Sequence, residues 1–139
     1  MSGNDVLKWV EYAKNDIDVA IREMEYLRSP RLRPYVIILY HCHQCSEKML
    51  KAYILDSGET VSPIHVLNTL RRTCAGYDKT FDSKRIKNHC AYLDTFWNIK
   101  YPDFTVSVDA SHATRGINSA KRIYDFVSER LGLGKVFFE

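Results

Sequence analysis

Apolar side chains along this chain recur in steps of three and four, the spacing that gathers them on one face of a helix. Val6, Val10, Ala13, Ile17, Ala20, Met24 and Leu27 keep that rhythm unbroken, and Trp9 and Ile21 widen the stripe. They predict a first helix over about Asn4 to Leu27. Arg28-Ser29-Pro30-Arg31-Leu32-Arg33 breaks the pattern. Pro34 then suits the first turn of a second helix, where a missing N–H costs nothing. In that helix Ile38, Cys42, Cys45, Met49 and Ala52 form the core stripe, flanked by Leu39, Leu50 and Tyr53, and Ser57-Gly58 supplies a glycine stop.

Ser62-Pro63 reads as an N-cap followed by a proline at the first helical position, opening a shorter third helix through about Cys74 that Gly76 closes. A fourth helix is expected from around Asp82, with Ile86, Cys90, Leu93 and Trp97 on one face. Pro102 ends that segment by pushing Tyr101 out of helical dihedrals. The loop Lys100 to Val108 leads to a last helix capped near Asp109. Its stripe is Ala110, Ala113, Ile117, Ala120, Tyr124, Val127 and Leu131, and Gly132 stops it. Small residues early in that stripe allow another helix to approach closely. Strand-like alternation is sustained nowhere. The pattern predicts one all-α domain over residues 1–139, an antiparallel bundle of four long helices plus one short helix. The tail Gly134 to Glu139 is too apolar to lie in water, so it is expected to fold back or to meet another subunit.

Composition narrows the class. A chain of 139 residues can bury a core without disulfides or metal. Its 45% hydrophobic and 27% charged residues are those of a soluble globular protein. No apolar run approaches the ~20 residues needed to span a bilayer, and no signal-peptide core opens the chain, so no membrane partner and a cytoplasmic setting are expected. Four cysteines then read as reduced thiols. A net charge of +3 permits nucleic acid as a partner without arguing for it.

Candidate chemistry concentrates on the second helix. His41, Gln44, Lys48 and Lys51 form a row beside the core stripe, with Glu47 at its margin. An imidazole, an amide, two ammonium groups and a carboxylate so placed can pair among themselves or contact an anionic ligand. The plainer reading is a solvated face carrying intrahelical ion pairs. Cys42 and Cys45, with histidines on both sides, invite a zinc site, which needs four converging ligands. The other candidates, His65, Cys74, His89 and Cys90, contain no second Cys-x-x-Cys. His89 and Cys90 are neighbours that point about 100° apart on a helix. Thiols in an apolar stripe usually serve as small core residues. No metal and no cofactor are expected, and a metal-binding helical bundle stays as an alternative reading.

Three places in order resemble the HEPN family, the higher-eukaryote and prokaryote nucleotide-binding domains. Trp9, Ala13, Asp16 and Ala20 lie in the first helix. His41-x-x-Gln44-x-x-Glu47-Lys48-x-Leu50-Lys51-Ala52 is similar to the family's His-x-x-Gln-x-x-Glu-Lys-x-Leu-Lys-Ala core. Gly58, His65 and Lys100-Tyr101-Pro102-Asp103 follow, the last similar to Arg-Tyr-Pro-Asp. The resemblance implies a helical bundle, usually a homodimer of bacterial or archaeal cytoplasmic type. It further implies a separately encoded minimal nucleotidyltransferase as partner, in an arrangement like a toxin–antitoxin pair. Some members bind nucleotides, and others cut RNA without metal through an Arg-x(4–6)-His motif.

This chain departs from that motif. Arg85 and His89 have only three residues between them, and Lys84, which has the right gap, puts lysine where arginine belongs. Arg33 lies too far ahead of His41. Planar, bidentate binding of a phosphate is lost when arginine becomes lysine. Val66 replaces the family's aspartate, and Lys100 its arginine, although a lysine still holds a phosphate as a point charge. For His65 a helix-start imidazole satisfying nearby backbone is the structural alternative to catalysis. The expected function is a non-catalytic homodimeric module that binds a nucleotide or a nucleotidyltransferase partner. Its ligand-binding residues would be His41, Gln44, Glu47, Lys48, Lys51, His65, Lys100, Tyr101 and Asp103. A metal-independent endoribonuclease acting on RNA through Lys84, Arg85 and His89 is the alternative.

Overall fold

A computed structural model describes residues 3–25, 34–61, 63–99, 101–103 and 107–139, and among these the chain is helical with no strand. The elements are α1 Gly3–Glu25, α2 Tyr35–Asp56, α3 Leu67–Ala75, a 3-10 turn Lys79–Asp82, α4 Lys84–Asp94 and α5 Ala110–Arg130. The bundle expected from the apolar rhythm is the one observed, although α4, at 11 residues, is about half the length of α1, α2 and α5. No helix among the described residues is long and apolar enough to cross a membrane.

α2 occupies the centre. It packs against α1 on one side and α5 on another, and it also meets α3 and α4, which touch each other. A helix surrounded in this way must be apolar around most of its circumference. Ile38, Leu39, Cys42, Cys45, Met49, Leu50 and Ala52 are all fully buried, so the predicted stripe and its edges both face protein. The small residues of α5 serve the same packing. At Gly116 an added Cβ would lie 2.6 Å from Leu39 Cδ2, so glycine is what lets α5 come this close to α2.

Helix ends show where local pattern and structure part. Leu27, Arg28 to Arg33 and Ser62 lie outside the described residues. α3 begins at Leu67 rather than at Ser62-Pro63, and its N-cap residue Val66 makes no side-chain cap bond. The cap comes from elsewhere: Asp94 Oδ1 accepts from the Leu67 N–H at 2.7 Å and Oδ2 from the Asn68 N–H at 3.0 Å. A carboxylate at these orphan donors does what a local serine would have done. α4 starts behind Ser83, whose hydroxyl accepts from the Ile86 N–H, after the 3-10 turn has used Asp82. Beyond Asp94 the chain turns out of the α-helix and the phase of burial shifts, so Phe96 and Ile99 are buried while Trp97, expected on the core face, is 50% exposed. α5 is capped at Asp109, as its sequence predicts, through a reciprocal box with His112.

The tail folds back within its own chain. Gly132 and Gly134 both adopt φ near +78°, which reverses the chain after α5. Asp125, itself buried, then accepts hydrogen bonds from the backbone N–H groups of Val136, Phe137 and Phe138. Phe137 packs edge-on to Tyr124.

Candidate functional site

The polar row on α2 is divided between two buried carboxylates. Asp16 sits on the inner face of α1 among Ala13, Ile17 and Ala20, and it is only 8% exposed. Its Oδ1 accepts from His41 Nδ1 at 2.7 Å and its Oδ2 from Lys48 Nζ at 2.5 Å. His41 and Lys48 are two helical turns apart, so they reach α1 from one side of α2 and clasp a single carboxylate. A carboxylate buried in this way has both oxygens satisfied by donors from α2.

Glu47 gathers the second group. Its Oε2 accepts from Lys51 Nζ at 3.0 Å and from His65 Nδ1 at 3.1 Å. Glu47 and Lys51 are both 5% exposed, whereas the His65 side chain remains 58% exposed, its ring reaching in from the connection between α2 and α3. Glu47 Oε1 is buried without a hydrogen-bond partner among the described residues, and His43 Nδ1 stands 3.8 Å away from it. His43 in turn donates through Nε2 to Asp94 Oδ1 at 3.3 Å. Lys51 and His65 thus meet at Glu47, while His43, 3.8 Å from Glu47 Oε1, is bonded instead to Asp94, which caps the start of α3.

Beside the Asp16 cluster lies a groove of about 490 Å³ between α1 and α2, lined by Asp5, Lys8, Trp9, Tyr12, Lys48 and Leu55. Volumes of 300–1,000 Å³ are typical of small-molecule sites. This one offers two aromatic rings and an apolar floor with two ammonium groups and one carboxylate at its edges.

A second, smaller cleft of about 160 Å³ lies between α4, α5 and the tail, and Arg85, His89 and Arg122 are among its lining residues. His89 Nδ1 and the buried Ser119 Oγ share a hydrogen bond of 2.9 Å. Burial, and then the positive charges of Arg85, Arg122 and Arg115, hold the His89 imidazole below its ordinary pKa. Lys84, at the first position of α4, is exposed and is not among the residues that line this cleft.

The expected ligand residues thus fall into groups. His41 and Lys48 meet at Asp16, and Lys51 and His65 meet at Glu47, with half-buried Gln44 on the same row of α2. Tyr101 and Asp103 are exposed in the turn beyond α4, and Lys100 lies outside the described residues. His43 and Asp94 were not legible as members. The i, i+4 spacing of His43 to Glu47 was the one local signal for the first, and nothing near Asp94 in sequence announces its role. All four cysteines are buried free thiols, and no three of His, Cys, Asp or Glu among the described residues are arranged to hold a metal ion.

A sequence model described as the HEPN domain matches residues 6–131. The crystal structure of TT1696 from Thermus thermophilus superposes with a TM-score of 0.71 at 22% sequence identity, covering 91% of this chain and 98% of that one. At that identity the likeness speaks for the fold. No curated protein matches the chain significantly in sequence.

Proposed function

The chain belongs to the HEPN domain family, and from that premise we propose that it is a non-catalytic, homodimeric binding module whose α1–α2 groove takes a nucleotide. The observation that carries this reading is the lining of the 490 Å³ groove. Trp9 and Tyr12 offer ring faces to a base, where stacking is worth about 1–3 kcal/mol per base. Lys8 and Lys48 stand where they can meet phosphate oxygens, and Asp5 can accept from a ribose hydroxyl or an exocyclic amine. Lys48 belongs both to the groove and to the Asp16 clasp, so a bound phosphate would draw on an ammonium already held in place. The HEPN core motif thereby works by position: Glu47 and Lys51 brace α2, and Lys48 faces the ligand.

Exposed apolar side chains support a shared surface. Leu7 near the start of α1 is 50% exposed, and Val36 and Ile37, adjacent on the first turn of α2, are 40% and 47% exposed. Exposed apolar positions of this kind suit either a second copy or a nucleotidyltransferase partner.

Tryptophan fluorescence during titration with AMP, ADP and ATP tests the reading. Saturable quenching that disappears in Trp9→Leu and weakens in Lys8→Gln is expected, with sedimentation showing a dimer. Quenching that persists unchanged in Trp9→Leu, and so arises at Trp97, would remove the groove from consideration. The ribonuclease alternative keeps one point of support, that Arg85 and His89 share a cleft. RNA left intact by the purified protein in excess chelator would dispose of it.

A further inference from the structure

Three arginines near the α4–α5 cleft pair with no carboxylate among the described residues. The arginines that tie the fold together are paired: Arg71 with Asp82 at 2.8 Å and Arg130 with Asp78 at 3.7 Å. Arg85, Arg115 and Arg122 make no such pair among the described residues. Instead Arg115 lies over Tyr92, 4.1 Å from the ring centre, and Arg122 over Phe138 at 3.5 Å. Stacking holds a guanidinium by its face and leaves its N–H edge available to fork onto an anion. Arg85, on α4, is one turn before His89 and lines the same cleft.

The acidic groups of the cleft are already engaged. Both oxygens of Asp125 accept from the backbone of the tail, and Glu129 faces Lys135 at 4.0 Å. With Arg85, Arg122 and Lys135 set against Asp125 and Glu129, the cleft keeps a cationic excess. The depressed His89 imidazole feels the same field, since it is flanked by Arg85 from α4 and by Arg115 and Arg122 from α5. In the tautomer whose Nδ1 accepts from Ser119, the proton sits on Nε2, a donor suited to an anionic oxygen; in the other tautomer Ser119 accepts from Nδ1–H.

We infer that this cleft is a binding site for a phosphate group, gripped by Arg85, Arg122 and His89 and walled by the tail at Lys135 and Phe138. Size separates it from the nucleotide groove. At about 160 Å³ it is about a third the size of the α1–α2 groove, room for a phosphate group with the rest of a larger molecule lying outside. The group is free phosphate, or the terminal phosphate of a larger molecule whose remainder stays outside. Because Arg122 stacks on Phe138, occupancy also steadies the tail. None of this depends on the α1–α2 groove.

The test follows the His89 imidazole resonances by NMR while sodium phosphate, or AMP, is titrated against sodium chloride at equal ionic strength. A saturable, phosphate-dependent shift with an upward move of the His89 titration midpoint is expected. Arg85→Gln and Arg122→Gln should each weaken binding by about tenfold or more, while the exposed Lys79→Gln, which lines neither cleft, leaves it unchanged. AMP binding at a similar midpoint assigns the site to a terminal phosphate, and phosphate binding without AMP assigns it to the free ion. A shift equal to that in chloride, or a midpoint untouched in both arginine variants, overturns the site.

Discussion

Lys48 Nζ lies 2.5 Å from Asp16 Oδ2, and His41 Nδ1 holds the other oxygen of the same carboxylate at 2.7 Å. Three side chains from two helices are thereby committed to one partly buried site, the Asp16 and Lys48 side chains being 11% and 24% exposed. Asp16→Asn is expected to cost about 1–3 kcal/mol, because it removes one charge and leaves two donors poorly met. Asp16→Asn and Lys48→Met together should cost less than the sum of the two, with a coupling of about 1–2 kcal/mol in urea unfolding. A coupling near zero would mean that water screens the pair as it does on open surfaces.

Glu47 and Lys51 are more deeply placed, and the consequence should be larger. Glu47→Gln leaves the Lys51 ammonium buried without its counter-charge, and a loss of about 3–5 kcal/mol is expected. Replacing both, by Leu and Met, should recover most of that loss, since it removes both charges from the interior. Denaturant midpoints of the three proteins decide it. If Glu47→Gln were no worse than a control at exposed Glu11, Glu11→Gln, the pair would have no structural weight.

The four thiols carry a pH signature. Burial pushes Cys74 and Cys90 up to about 12, and it also raises Cys42 and Cys45. Unfolded thiols ionise at about 8.5, so above that pH the unfolded chain sheds protons that the folded chain keeps. Stability contributed by the neutral thiols is therefore full below about pH 8.5 and falls as pH rises toward 12. Denaturant midpoints at pH 7, 9 and 10 should decline faster than in a variant with all four cysteines changed to alanine. A thiol reagent should modify none of them in the native protein and all four in denaturant. Rapid modification of the native protein would contradict the burial.

The core was largely readable from spacing. The threes and fours of α1, α2 and α5 placed Ile17, Cys42, Met49, Ala113 and Val127 inside, where they are fully buried, because helical periodicity is a local property of the chain. Trp97 was misplaced for the opposite reason. Its exposure depends on a change of backbone geometry after Asp94, which no apolar count reveals. The candidate row on α2 was legible as a row, but its division between Asp16 and Glu47 was not, since the nearest partner of Lys48 stands thirty-two residues away. The arginine pair of the small cleft was obscured in the same way. Arg85 is visible beside His89 in the sequence, while Arg122 arrives from α5 only once the bundle forms.

The carboxylate of Asp94 has one more implication, for the order in which the molecule assembles. α3 is nine residues long, too short to persist alone, and its first amides are met by a side chain that comes twenty-seven positions later. It therefore cannot nucleate the protein. It should condense after α4 has docked, bringing the His65 segment with it, so that this corner of the bundle is the last to form and the first to open.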